Sequence, residues 1–530
     1  VYSAPYSATT HAWQRFRADA FNVYWDTAPS TASNPPISSD WVQRATITQA
    51  ALGWDVGAVY IRLFAHQFGA STGVPTYAEF DGINAIASVD APAPAPPAPP
   101  PPPIVVTDDV FKAWLLDDAA LRCVLVEAEV YSNGAERTRY MSDMGYVTGA
   151  TDTPANTEYE SIVIDGCETD ANLTLDGSAS FTLGDVVISN VNGERSTWLN
   201  DVWANRPIRI YAGDVRWPRN QFRLVFNGII KDIEGAGIHA LSLSMRDKMQ
   251  RLNTALTEAK IGGTTANKER LVPHAFGEPH NVEPVLQDKA LLLYRFHISN
   301  AEAAYEVRDE GVPVSKIDSL ASGSFRLTAT PAGQVTVSVQ GDKGSGVYTN
   351  TLAKLTQRIV TGFGVNTLTA ADIDSTNFTT FDASHQQPLG YYAGDRENVF
   401  DICSQLAASL GAAPVFSSLG LLQLIKIALP ATGTITNVSA YNMYSDTFEL
   451  IERIPVKAAV KIGYAKNWTV QNNLRTGIPA EHKQMFSEEW LTVSRSDPAV
   501  ADRYRLTELP VQRNTFLVTT AAAEAEAQRE

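Results

Sequence analysis

The chain has 530 residues, with 42 basic and 58 acidic side chains and a formal net charge of −16. That length exceeds what one hydrophobic core ordinarily supports, so several domains are expected. An acidic body repels polyanions, which excludes tight phosphate-mediated nucleic-acid binding as a leading function, although DNA could slide past such a surface without sticking. No apolar run reaches the length of a membrane-spanning helix. Cys123, Cys167 and Cys403 lie far apart without CxxC spacing, which argues against a disulfide framework or zinc module and fits folding in a reducing cytoplasm. The chain opens at Val1 with no basic-then-apolar leader, so a processed or missing start is expected rather than a secretory signal.

Residues 1–90 contain no lysine but many rings, among them Trp13, Trp25, Trp41 and Trp54. WDVGAVYIRLFAHQF (Trp54 to Phe68) mixes β-branched and aromatic residues as a buried strand does. A small aromatic-rich β module is expected. Its rings either form a core or protein interface, or stack on sugar rings as a glycan contact. APAPAPPAPPPPP (residues 91–103) lacks the basic flanks of an SH3-type ligand and reads as a polyproline spacer, roughly 40 Å long if extended.

Residues 104–263 alternate apolar and polar positions between glycine turns. LRCVLVEAEVYS (Leu121 to Ser132), RPIRIYAGD (Arg206 to Asp214) and QFRLVFNGIIKDIE (Gln221 to Glu234) are the clearest cases, and they predict an antiparallel barrel or sandwich. Residues 264–344 are less regular, with a hairpin predicted over FRLTATPAGQVTVSVQG (Phe325 to Gly341). Residues 345–515 read as β structure with two helices. Thr351 to Gly364 carries one apolar stripe, and Asp395 to Gly411 carries another, with Asp395 as N-cap and Gly411 ending the helix. Pro414 to Ile427 reads as a hairpin centred on Gly420, and Val456 to Val470 as a strand segment. Residues 516–530 begin a C-terminal helix, AAAEAEAQRE, after which the chain is expected to continue. The fold class is therefore mainly β with a few helices (α+β), with a separate N-terminal module.

Motifs for chemistry are scarce. There is no GxSxG elbow, HExxH, P-loop, Rossmann fingerprint or DxDxDG loop. His280 and His297 lack metal-ligand spacing. Asp108/Asp109, Asp117/Asp118 and Glu488/Glu489 are adjacent acidic pairs; neighbours usually point apart, and so many acidic residues make such pairs by chance. No enzyme activity, cofactor or metal is expected.

Three groups of segments carry a resemblance. The first is DTPANTEYESIVIDG (Asp152 to Gly166), with ISNVNGERSTWLND (Ile188 to Asp201) and RPIRIYAGD (Arg206 to Asp214). The second is VPHAFGEPHNVEPVLQD (Val272 to Asp288), with YRFH (Tyr294 to His297) and YEVRDEGVPV (Tyr305 to Val314). The third is VKIGYAKNWTVQ (Val460 to Gln471), with FSEEW (Phe486 to Trp490) and the AEAEAQR helix (Ala523 to Arg529). In this order they resemble the tail-tip or baseplate-hub proteins of tailed bacteriophages with long non-contractile tails. The resemblance spans roughly residues 115–530 and does not reach 1–103.

It implies tandem antiparallel β-barrel or sandwich domains of the hub type. It also implies a homotrimer that closes the tail tube and converts sixfold to threefold symmetry. The implied partners are distal tail and tube proteins, the tape-measure protein, and tail fibres or tip proteins. DNA would pass without specific binding, and the bacterial surface is a further contact. The implied location is the distal tail tip of the virion, after synthesis in the host cytoplasm. Opening on host contact would release DNA. Within the motifs, Asn281 and Glu283 are placed to bond backbone groups. Tyr464, Asn467 and Trp468 serve either internal packing or subunit contact. The alternative is a cell-envelope glycan-binding or glycan-degrading protein whose sugar-binding module is residues 1–90.

Overall fold

The computed structural model describes residues 13–18, 22–29, 31, 39, 41–48, 105–165, 169–173, 179–344, 346–426, 456–507, 509–510 and 512–530. The readings made for Trp54 to Phe68, the proline segment and Cys167 fall outside these residues. The chain divides into two compact units, Val1–Pro101 and Pro102–Glu530.

In the first unit, β1 (Trp13–Ala18), β2 (Asn22–Ala28) and β3 (Val42–Thr48) form an antiparallel sheet in that order. Ring-bearing and β-branched residues on β2 suit a pleated, half-buried surface.

The second unit begins with α1 (Asp108–Leu115), capped by Thr107, whose hydroxyl accepts from the Val110 N–H. A nine-stranded sheet follows. It comprises β4 (Arg122–Ser132), β5 (Ala135–Ser142), β6 (Tyr146–Val147), β7 (Glu158–Ser161), β8 (Val163–Asp165), β11 (Val186–Ser189), β12 (Pro207–Asp214), β13 (Arg223–Gly235) and β14 (Ala240–Arg246). A separate pair, β9 (Thr169–Leu173) and β10 (Ala179–Leu183), stands between β8 and β11 in the chain. The sheet order is β6-β7-β5-β4-β12-β13-β14-β11-β8. Among the described residues no sheet is closed into a barrel. Residues 158–165 nevertheless supply strands near both ends of the order: Ile162 donates to the Ser142 carbonyl (2.9 Å) and accepts from the Ser189 N–H (2.7 Å).

Alternation places Val126, Ala128 and Val130 of β4 with Ile208, Ile210, Ile230, Leu243 and Trp203 in one apolar core. Each such aliphatic side chain contributes about 1.5–3 kcal/mol when fully buried. The opposite face of β4 carries Cys123 and Leu125 against Tyr159 and Phe222. Glu127 shares that face. It accepts from the Tyr159 hydroxyl (2.6 Å) and pairs with Arg219 (2.5 Å), whose guanidinium lies 3.6 Å from the Tyr211 ring centroid. The two charges are buried together and bonded on several sides, which is what makes their desolvation tolerable.

Downstream, β15 (His274–Gly277) leads into two smaller sheets. One holds β16 (Val285–Asp288), β17 (Leu293–Arg295), β20 (Lys316–Ser319) and β21 (Ser324–Leu327); the other holds β18 (Ala301–Asp309), β19 (Val312–Pro313) and β22 (Val335–Asp342). The hairpin predicted over Phe325 to Gly341 does not form. β21 pairs with β17 and β20, whereas β22 pairs with β18. The two strands go to different sheets because β22 fits its valines against β18, with Val335, Val337 and Val339 buried beside Ala304 and Val307.

The remaining elements are α2 (Leu352–Gly362), α3 (Ser375–Ser384), β23 (Gly390–Ala393), α4 (Val399–Ala408), β24 (Ala412–Phe416), β25 (Leu422–Lys426), β26 (Ala459–Tyr464), α5 (Ala480–Ser487), β27 (Leu491–Ser496), α6 (Pro498–Tyr504), β28 (Gln512–Asn514) and α7 (Thr520–Arg529). Their shared core runs from Leu252 to Ala527 and joins the apolar stripes of α2 and α4 to β23–β26 and α7. The β24–β25 hairpin turns at Gly420 (φ +70°), as the sequence predicts. Two readings need correction. The helix expected from Asp395 starts after Asn398, whose side chain accepts from the Phe400 N–H (2.8 Å), while Asp395 remains exposed. The described residues of 345–515 hold five helices where the sequence predicts two, because α3, α5 and α6 lack a long apolar stripe. With α1 and α7, the described residues make a mainly β fold with seven helices.

Candidate functional site

The motif segments 272–288 and 460–490 meet. Chain entry is set by Gly277 at the end of β15, where φ is +60° and an added Cβ would stand 2.0 Å from the Leu389 carbonyl oxygen. Glycine is required there on both grounds. Past it, Glu278 donates its N–H to Leu389 (3.0 Å) and Val339 donates to Pro279 (3.2 Å). Asn281 then takes a left-handed conformation, φ +51°, which asparagine tolerates better than most residues.

That turn sends the Asn281 amide into the junction. Its Nδ2 donates to Asn467 Oδ1 (2.8 Å) and the Thr469 carbonyl (2.8 Å), and its backbone N–H donates to Ser338 Oγ (3.1 Å). Asn467 answers with its own Nδ2, which donates to the carbonyls of Phe486 (2.9 Å) and Glu488 (3.1 Å). Its Oδ1 also accepts from the Thr469 N–H (3.1 Å). Both asparagines are at most 5% exposed. Buried amides without partners are costly, so these bonds decide the local path of three loops.

Rings close the other side. Trp468 stacks on Phe516 (5.8 Å, 15°) and meets Tyr391 edge-on (5.3 Å) and Tyr392 (6.1 Å). Lys466 Nζ lies 4.0 Å from the Trp468 ring centroid and 5.3 Å from that of Trp490, a cation–π contact. Burial pushes the Lys466 pKa below the usual lysine range, partly opposed by Glu489 and Glu397. Burial likewise raises Glu397, which accepts from the Tyr391 hydroxyl at 2.5 Å.

The structure therefore brings Asn281, Asn467 and Trp468 into one junction. Glu283 borders it: its carbonyl accepts from the Tyr392 hydroxyl (2.9 Å) and its exposed carboxylate from Gln334 Nε2 (3.0 Å). Tyr464 stands apart, with its hydroxyl 2.9 Å from Thr520 Oγ1, where it fastens β26 to α7. In the N-terminal unit, Trp25 pairs in register with Phe16 and Ala45 and is half-buried, as is Trp41. Trp13 opens β1 opposite Ala28, and Trp54 lies outside the described residues.

Sequence reasoning missed a buried polar line behind β15. His297 Nδ1 accepts from the Ala275 N–H (3.1 Å), so Nε2 carries the proton that faces Asp342 Oδ1 (3.1 Å). Asp342 also receives the Arg358 Nε–H (2.6 Å). Burial alone would raise the Asp342 pKa; the His297 and Arg358 bonds outweigh it and hold the carboxyl below its usual range. His280, by contrast, is bonded to the Tyr305 hydroxyl (2.7 Å). Cys123 and Cys403 are buried, and burial lifts both thiols to about 12, so neither is poised as a nucleophile. Among the described residues, no group of three His, Cys, Asp or Glu side chains is placed to hold a metal ion.

No family model matches the chain. No curated protein matches it. Among solved structures it is similar to a chain in the virion of a native gene transfer agent particle, 10% identical, over 45% of this chain and 85% of that one, with a TM-score of 0.18. It is also similar to a tail protein from Neisseria meningitidis MC58, 13% identical, over 77% of this chain and 75% of that one, with a TM-score of 0.23.

Proposed function

We propose that the chain is a structural component of a phage-type tail: a trimeric hub at the distal tip that closes the tube, anchors fibres or receptor-binding parts, and opens on host contact. The observation that supports this reading is how the motif residues are used. Asn281 and Asn467, 186 positions apart, spend their side-chain hydrogen bonds on each other and on nearby backbone. Groups so occupied hold a scaffold in register and leave little free to attack or protonate a substrate. The action is then mechanical, a rearrangement of subunits under load with no chemical step. The −16 charge suits a lumen through which DNA and a tape-measure protein pass without adhering. Residues 1–90 serve as a docking or decoration module.

Gold-labelled antibody against the chain, applied to intact tailed particles and imaged by electron microscopy, tests this. Label confined to the distal tail tip is the expected outcome. Unlabelled particles, together with purified chain that releases sugars from host envelope, would replace it with the glycan reading.

A further inference from the structure

A cavity of about 490 Å³ opens between α3, the end of β25 and the end of α7, within the range of about 300–1,000 Å³ typical of small-molecule sites. Phe381 and Leu424 give it apolar walls, and His385, Lys426 and Arg529 also line it. Lys426 closes β25 and is half-buried. Its ammonium has no hydrogen bond or ion pair among the described residues, yet it stays within reach of solvent. The guanidiniums nearby are already matched. Glu526, 3% exposed, accepts from Arg529 at Nε (3.0 Å) and Nη2 (2.7 Å) and pairs with Arg513 (2.5 Å), which also reaches Glu530 (2.5 Å). Three cations thus face two carboxylates, and Lys426 is the one left over.

His385 ends α3, with its ring stacked on Phe381 (4.2 Å, 21°). Its Nδ1 lies 3.1 Å from the Phe381 carbonyl, which only accepts, so Nδ1 carries the N–H and Nε2 presents a lone pair. Nε2 has no partner among the described residues and, like Lys426 Nζ, is not sealed from solvent. Burial first and the Lys426 charge next hold the ring's pKa below the usual histidine range, opposed by the Phe381 carbonyl and by Glu526. The charged groups that face it are therefore Lys426 from β25 and Glu526 and Arg529 from α7; Asp382 of its own helix is engaged by Thr351 and Lys354.

We infer that this cavity binds a small organic carboxylate with an apolar body. The carboxylate faces the Lys426 ammonium, the body packs on Phe381 and Leu424, and His385 takes a proton from solvent so that Nε2 becomes a second donor to the anion. A bound anion cancels the repulsion that keeps the ring neutral, and the helix C-terminus favours the imidazolium. Binding therefore takes up a proton and tightens as pH falls through the His385 titration. The site is independent of the tail reading, since Lys426 and His385 lie outside the motif segments.

The probe is benzoate, added to the full chain with ¹⁵N-labelled histidine, with His385→Gln used to assign the His385 resonances. The expected result is a benzoate-dependent shift at His385 Nε2, a titration of that ring moved to higher pH, and binding several-fold tighter at about pH 5.5 than at about pH 8, with benzoate ionised at both. Benzamide, of the same shape without the charge, should bind the parent chain about tenfold more weakly. Lys426→Met, which keeps the stem and removes the ammonium, should weaken benzoate by a similar factor. His385→Gln should keep the affinity at about pH 8 and lose the pH dependence. No shift at His385 up to millimolar benzoate would overturn the proposal. Equal binding of benzoate and benzamide to the parent chain would overturn it too, as would unchanged benzoate affinity in a folded Lys426→Met chain.

Discussion

The sheet of residues 122–246 and the Asn281–Asn467 junction of the body (residues 252–530) are anchored by opposite kinds of buried polar group. The sheet uses charge: Glu127 and Arg219, 92 positions apart, pair at 2.5 Å beneath Tyr159. The junction uses neutral amides, Asn281 against Asn467, with backbone carbonyls and the Thr469 N–H taking further bonds. An ion pair is tolerant of direction but intolerant of losing one member, because the survivor is a bare buried charge. An amide network loses only neutral hydrogen bonds, yet it dictates where each loop must run. The sheet's anchor is therefore an all-or-none lock, and the junction's is a template for geometry.

The largest effect should come from breaking the lock. Glu127→Ala leaves Arg219 buried without its carboxylate and should cost about 3–5 kcal/mol, whereas replacing Glu127 and Arg219 together with methionine should recover most of that loss. Urea unfolding of the single and double variants measures it. Equal destabilisation of the two would mean that packing, and not uncompensated charge, sets the cost. Asn467→Ala should come next, at roughly 2–3 kcal/mol, from buried carbonyls and the Asn281 amide left without partners. Its signature is local: faster hydrogen exchange at residues 281, 469 and 485–490, with 122–132 unchanged. Loss of protection across both regions would show that sheet and body unfold as one.

The same division explains what could be read in advance. Alternation in β4 and β12 survives because a sheet with one covered face enforces a period of two, so Val126, Val130, Ile208 and Ile210 announce themselves. The Gly420 hairpin is equally local, two strands and a turn within fifteen residues. The body's core instead collects side chains from Leu252 to Ala527, and partners that distant leave no periodic trace. A turn-like TPAG suggested one hairpin where the chain feeds two sheets. At the candidate site, resemblance singled out Asn281, Asn467 and Trp468, but their meeting across 186 positions is a property of the fold alone. His385 gave no signal, since a single histidine after a polar stretch looks the same whether its second nitrogen is satisfied or bare.

The smallest expected effect tests the least legible helix. α3, STNFTTFDAS, offers only Phe378 and Phe381 to the core, and its serines and threonines compete for backbone hydrogen bonds, which weakens its intrinsic propensity. What starts it is Asp374: one carboxylate oxygen accepts from the Asn377 N–H (3.0 Å), the other from Gln423 Nε2 on β25 (2.8 Å). The bonds from Asn377 first, and from Gln423 next, hold its pKa below the usual carboxylate range. Asp374→Ala should lower stability by about 1 kcal/mol, the usual worth of an N-cap, and Asp374→Asn should restore most of it. Thermal unfolding of the three proteins at neutral pH measures both steps. If asparagine fails to restore the cap while alanine destabilises as expected, the aspartate's charge at the helix N-terminus, and not its hydrogen bond to Asn377, is what begins α3.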